Sequence, residues 1–192
     1  MENILKRKYI TNEDIIMEPS KVLNQKSENV AIPLSKEDKH LLKLMYNHVS
    51  NSQDEEYAEK YDIRSAVGIA AVQLGVLKKL IAIKTFDDDG KLHKLMLANP
   101  EIIKRSKETA YLKFGEGCLS VEDGKYTGIV PRSNEIVVKA FNLFTNKYIE
   151  LKANGYFSIV LQHEIDHLDG IMYNNHINKL DPKFSKEDWI CI

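Results

Sequence analysis

Two histidines four residues apart, in the stretch Gln162-His163-Glu164-Ile165-Asp166-His167, constrain this chain more than any other feature. On a helix that spacing brings both imidazoles to one face, where neutral ring nitrogens can share a metal ion. Glu164, beside the first histidine, falls within reach of water on such an ion and can take its proton and return it to a leaving group. The spacing predicts a helix that begins near Asn154-Gly155 and stops near Gly170, because glycine tolerates the left-handed conformation that closes a helix. Ile159, Val160, His163 and His167 lie on one stripe of it. Burying two imidazoles without partners costs on the order of a few kcal/mol, so a fold built on this helix needs a third group near them.

The better candidate is Cys118 in Gly115-Glu116-Gly117-Cys118-Leu119-Ser120, where neighbouring glycines would let a bent or bulged strand present a thiolate. Two imidazoles and one thiolate leave a coordination position open to water or substrate, the mark of a catalytic rather than a structural site. Cys191, at the C-terminal end, is expected to fray and to be incidental. Two cysteines make no disulfide framework, which fits a reducing, cytoplasmic setting. His40, His48, His93 and His176 have no comparable neighbours and are expected at the surface.

A chain of 192 residues with 43% hydrophobic residues can bury one sizeable core, and no linker marks a boundary, so a single catalytic domain over 1–192 is expected. The net charge of -1 and the lack of a basic cluster interleaved with aromatics argue against direct nucleic-acid binding. Lys6-Arg7-Lys8 is followed by polar residues rather than a long apolar run, and no segment is long enough to span a membrane. Ser35-Lys36-Glu37-Asp38 resembles a capping box and opens a helix over about 36–50, with Leu41, Leu42, Met45 and Val49 at helical spacing. The acidic run Asp54-Glu55-Glu56 extends that helix or follows it as a solvated face. Short strands are predicted at Leu80–Ile83, Leu95–Ala98, Ile136–Phe141 and Tyr148–Leu151, with Asp87-Asp88-Asp89-Gly90 as a hairpin turn between the first two. The class is α+β: short-stranded mixed or antiparallel sheets packed around a central metal-binding helix, with an N-terminal helix.

A third stretch, Ala66-Val67-Gly68-Ile69-Ala70-Ala71-Val72-Gln73-Leu74-Gly75, is small and apolar around one amide side chain. Small residues let a substrate backbone approach closely, and Gln73 can offer an N–H to a carbonyl oxygen that gains charge. Pattern alone makes it a packed strand with a satisfied glutamine.

Together the three stretches resemble the peptide deformylases, which carry a glycine-rich motif ending in glutamine, then Glu-Gly-Cys-Leu-Ser, then His-Glu-x-Asp-His. Here the second runs from Glu116 to Ser120 and the third from His163 to His167, both complete. The resemblance extends from about Ile63 to Asn178, and Asp54 to Asp62 looks like the segment of the longer, type 2 form of low-GC Gram-positive bacteria and their relatives. It implies removal of the formyl group from the formyl-methionine of newly made polypeptides near the ribosome, by a monomer. It implies that Cys118, His163 and His167 hold one divalent ion, ferrous iron in the working enzyme, although the donors suit zinc, nickel or cobalt as well. Glu164 would be general base and then acid, and Gln73 with the backbone N–H of Leu119 would stabilise the oxyanion. The peptide would lie along the strand near Gly68 and Ile69, with Tyr156, Ile159 and Val160 lining a pocket for its methionine.

Two positions depart from the family pattern, Ala66 for glycine and Val72 for proline. A positive φ at Ala66 would cost roughly 1–2 kcal/mol, and Val72, being β-branched, favours an extended strand. Two other hydrolases fit parts of the pattern: a zincin-type metallopeptidase with Glu187 as third ligand, and a cysteine hydrolase in which Cys118 attacks.

Overall fold

The computed structural model describes residues 4–192. Helix α1 (Lys36–Ser52) begins where the capping pattern places it, with the Ser35 hydroxyl accepting from the Asp38 N–H at 3.0 Å. Asp54 caps a separate short helix, α2 (Glu55–Tyr61), so the acidic run follows α1 rather than lengthening it. Strands β1 (Gly68–Ala70), β2 (Leu80–Phe86), β3 (Leu92–Arg105), β4 (Thr109–Tyr111), β5 (Arg132–Ser133), β6 (Glu135–Asn142) and β7 (Lys147–Asn154) precede helix α3 (Gly155–Leu168), and β8 (Ile190–Cys191) comes last. One sheet has the order β1-β2-β3-β6-β7 with every pair antiparallel; the other, β5-β4-β8, contains one parallel pair. Each predicted strand exists, although β3 runs well past its apolar centre, with irregular register against β6. Cys191 is held in that second sheet, exposed but paired through its strand.

The larger sheet is buried on both faces, which is why β2 reads as a continuous apolar run instead of an alternation. Leu80 and Ala82 point to α1 and pack with Leu41, Leu42, Met45 and Val49. Ile81 and Ile83 point the other way and pack with Phe157, Val160, Leu161 and Ile165 of α3. Helix α3 is therefore core on one side and functional on the other.

The ends of α3 are set by glycine geometry. Gly155 has φ +53, and a Cβ there would lie 1.7 Å from the Asp88 carboxylate, whose Oδ2 accepts from the Tyr156 N–H at 3.3 Å. The Asp87–Gly90 turn thus serves as a hairpin loop and as a cap for the central helix. At the other end Gly170, with φ +73, closes the helix against the Asn24 backbone.

Three of the histidines expected at the surface are not there. His48 is buried, with its Nδ1 3.2 Å from the Ile10 carbonyl. His93 stacks on Phe157 and pairs with Asp87 at 2.7 Å, and His176 is half-buried on Asp166. Only tertiary packing distinguishes them from the exposed His40.

Candidate metal and catalytic site

Cys118, His163 and His167 converge with their donor atoms all within 4.8 Å of one another. The two histidines come from the inner face of α3, one turn apart. Cys118 comes not from a bulged strand but from a tight turn, closed by the Val121 N–H donating to the Cys118 carbonyl at 3.1 Å. Gly115, with φ +78, brings that loop close to Gly128, where a Cβ would lie 2.9 Å from a carbonyl oxygen. The Cys118 side chain packs with Leu23, Val121, Val130, Met172 and Tyr173, which excludes water from one side.

The donor set fits a divalent ion. Sγ of Cys118 and Nε2 of His167 are 3.3 Å apart, close to the roughly 3.5 Å expected of tetrahedral ligands at bond lengths of about 2.0–2.3 Å. Nδ1 of His163 meets Glu116 Oε2 at 2.7 Å, leaving its Nε2 for the ion. Glu116 in turn receives Nε and Nη2 of Arg132 at 2.8 and 2.9 Å, and Arg132 also bonds Asp166, which holds Nε2 of His176 at 2.8 Å. The glutamate of the second motif and the aspartate of the third are thus joined through one buried arginine. Nothing near Arg132 in sequence announces that role.

The charges of these groups follow from the packing around them. Burial works to raise the Cys118 thiol, but His167 and His163 outweigh it and bring it down to about 5. Burial likewise opposes ionisation of Glu116, yet His163 and Arg132 hold it at about 2. Glu164 behaves oppositely: burial pushes it up to about 7 against the pull of His163 and His167. Its Oε2 is buried, and no described residue hydrogen-bonds it. A carboxyl poised near neutrality with a free oxygen is suited to carrying a proton both ways.

Gln73 lies in the 3-10 turn Ala71–Leu74 that follows β1, so the glycine-rich stretch is a short strand and a turn rather than one strand. Its Oε1 accepts from the Ala70 N–H at 2.9 Å, which aims Nε2 at Ser120 Oγ, 3.1 Å away, and at Cys118 Sγ, 3.5 Å away. Val72 is fully buried in that turn. Ala66 is not among the positive-φ residues, so the condition under which alanine would be strained there is not met. Its N–H donates to Ser52 Oγ and its carbonyl accepts from Gln53 Nε2, at 3.0 and 2.9 Å, tying the lip to the end of α1.

A cleft of about 280 Å3 opens onto this group, and Gly68, Gln73, Tyr156, Ile159, Val160 and Glu164 help to line it. Ile69 does not: its side chain is fully buried with the α1 cluster. The register excludes its backbone as well. Lys84 donates to the Val67 carbonyl, which makes Gly68↔Ile83 a non-hydrogen-bonded pair and Ile69↔Ala82 a bonded one. Gly68 therefore presents its N–H and C=O to the open edge of the sheet, and Ile69 turns both toward β2. Glu187 is exposed and outside the metal group, so it does not supply the third ligand of a zincin.

An α+β fold that sets two helical imidazoles, a thiolate and a buried glutamate at the end of a cleft beside an open strand edge defines a metal-dependent hydrolase of amides. The comparisons identify which one: the chain belongs to the polypeptide deformylase family, whose sequence model matches residues 12–183. The match begins well before the motifs and takes in the N-terminal segment. A peptide deformylase of Oceanobacillus iheyensis is 50% identical over 173 residues, 90% of this chain and 93% of that protein. One from Malacoplasma penetrans is 44% identical over 175 residues, 91% and 92% of the two chains. Among solved structures, the deformylase of Ehrlichia chaffeensis superposes with a TM-score of 0.67 at 28% identity, over 90% of this chain and 89% of that one. The Met-Ala-Ser-bound class I type b enzyme of Acinetobacter baumannii superposes with a TM-score of 0.64 at 26% identity, over 85% and 96%.

Proposed function

We propose that this chain hydrolyses the N-formyl group from the formyl-methionine of newly made polypeptides, releasing formate, with Cys118, His163 and His167 as metal ligands and Glu164 as the proton carrier. The observation that carries the assignment is the free Glu164 oxygen beside three converging donors. When bound, the divalent ion makes water acidic enough to be a nucleophile near neutral pH. The Glu164 carboxyl, buried with an unbonded oxygen, is the group that would take a proton from water at the site as that water's oxygen adds to the formyl carbon. Nε2 of Gln73 and the N–H of Leu119 face the oxygen on which charge builds. Glu164 then passes the proton to the departing nitrogen, giving formate and a free amino terminus.

Substrate peptide adds to the edge of β1 through the Gly68 backbone, a contact indifferent to side-chain identity. Selectivity comes from the pocket of Tyr156, Ile159 and Val160, whose apolar walls suit methionine. The Acinetobacter baumannii relative was solved with Met-Ala-Ser bound, which supports a peptide that begins with methionine as the ligand class. The rest of the reading is a monomeric, single-domain enzyme that works in the cytoplasm near the ribosome with ferrous iron. Zinc, nickel or cobalt would satisfy the same donors.

The test is formate release from a formyl-Met peptide by protein purified without oxygen, beside Glu164→Ala, with metal measured on both. Activity in the first and a metal-bearing, inactive second are the expected results. A metal-loaded wild type that releases no formate would overturn the function while leaving the fold untouched.

A further inference from the structure

The motifs account for the metal ligands and the base but not for what aims the Leu119 N–H. Leu119 and Ser120 are the central residues of the turn closed by Val121 on the Cys118 carbonyl. Such a turn leaves the N–H of its first central residue unbonded, and no described residue accepts from Leu119. A free N–H can serve an oxyanion only if its peptide plane is held still.

Arg64 holds it. Nη2 of Arg64 lies 3.4 Å from the Cys118 carbonyl oxygen, and Nη1 donates to the Leu119 carbonyl at 2.9 Å. The Cys118 carbonyl and the Leu119 N–H belong to one planar, trans peptide unit and point in opposite directions. The guanidinium shares that carbonyl with the Val121 N–H, 3.1 Å from the same oxygen, and the two together fix the direction of the Leu119 N–H. The guanidinium charge also polarises that unit and strengthens the donor. The second bond fixes the following peptide plane, so both planes flanking the Leu119 Cα are clamped by one rigid fork. Arg64 is itself anchored: its N–H donates to Asn12 Oδ1 at 3.2 Å, and Nη2 pairs with Asp123. Lysine would reproduce this only in part, since a compact ammonium lacks the rigid fork that reaches both carbonyls at once.

We infer that Arg64, which also stands in the wall of the cleft, is a positioning residue for the oxyanion site, acting through the Cys118–Leu119 and Leu119–Ser120 peptide planes. The inference rests on the deformylase reading, in which the Leu119 N–H is an oxyanion donor. It distinguishes Arg64 from residues that merely stabilise the loop, because a loop prop would change metal retention and leave turnover per bound ion alone.

The experiment compares wild type, Arg64→Lys and Arg64→Ala as holoenzymes. Turnover is counted per bound metal, and hydrogen exchange of the Leu119 amide is followed by NMR on a diamagnetic, zinc-loaded sample. Removing an oxyanion donor outright costs roughly 10²–10³ in kcat, so misaiming one should cost about tenfold. Arg64→Ala is expected to show that loss in kcat with KM changed less than twofold, and faster Leu119 exchange. Arg64→Lys should recover part of both. If Arg64→Ala does not fold, Arg64→Lys alone must show an intermediate kcat per metal and intermediate exchange. Unchanged kcat per metal, or unchanged Leu119 exchange, overturns the inference. Should wild type release no formate, the deformylase reading fails, while the exchange measurement still reports whether Arg64 orders that amide.

Discussion

A Cβ built on Gly68 would lie 2.4 Å from Oε1 of Glu164. The residue whose backbone faces the open edge of the sheet is thus also the one whose missing side chain makes room for the Glu164 carboxyl. No sequence separation suggests the link, since the two come from a strand and a helix nearly a hundred residues apart. Gly68→Ala should push Glu164 aside and lower kcat on the order of 10²-fold. Bound metal should stay at the wild-type level, because none of the three ligands moves. Kinetics with metal analysis checks this, and a fully active Gly68→Ala would show that Glu164 has another place to go.

The Arg132 cluster should dominate the cost of unfolding the site. Arg132, Glu116 and Asp166 all have their side chains largely buried, at 3%, 4% and 13% exposure. Arg132→Met leaves Glu116 and Asp166 with only their histidine partners, His163 and His176, and breaking a buried pair in this way typically costs about 3–5 kcal/mol. A shift of that size in urea unfolding is expected. Combining Arg132→Met with Glu116→Gln should cost less than the sum, and strict additivity would mean the network is not coupled.

His48 should make stability depend on acid. Burial lowers its pKa, opposed by the Ile10 carbonyl and the nearby Asp14. The unfolded chain takes up a proton near pH 6.5 that the native chain refuses. Stability is therefore greatest above that value and falls as pH drops through it toward the lower native pKa, by at most about 1.4 kcal/mol per pH unit. Urea midpoints at about pH 7.5 and about pH 5.5 should differ more for wild type than for His48→Gln. Identical differences would place the acid sensitivity elsewhere.

Metal binding should depend on Cys118 and not on Glu187. Cys118→Ser exchanges a thiolate for a poor ligand and should leave the protein folded with little bound metal; Glu187→Gln should retain the ion, since that carboxylate is exposed and outside the donor group. Metal content after dialysis decides between these outcomes. A metal-bearing Cys118→Ser would sink the three-ligand assignment.

Much of this site was legible before folding because its chemistry is carried by short local patterns. His163, Glu164 and His167 share a helix, and helical periodicity alone places them on one face and its neighbour. Gln73 and Cys118 were legible as unusual groups among small residues. Two positions sit otherwise than expected: Ile69, placed beside the peptide by resemblance, is turned away from the cleft by the pairing of β1 with β2, and Val72, given an extended strand by its β-branching, lies buried in a 3-10 turn. Which edge a strand exposes depends on its neighbour, and no neighbour is visible in a linear pattern.

By itself, the amino-acid sequence singled out Cys118 by residue type, and His163, Glu164 and His167, their helix and the strands beneath it by residue type and by spacings shorter than two helical turns. Tertiary structure alone decided that Arg132 joins Glu116 to Asp166, that Gly68 yields its space to Glu164, and that Arg64 reaches the Cys118 and Leu119 carbonyls. These contacts join residues between 16 and 96 positions apart. They exist because the two sheets and α3 close on one another, and pairing at such range leaves no period in a chain for local physics to detect.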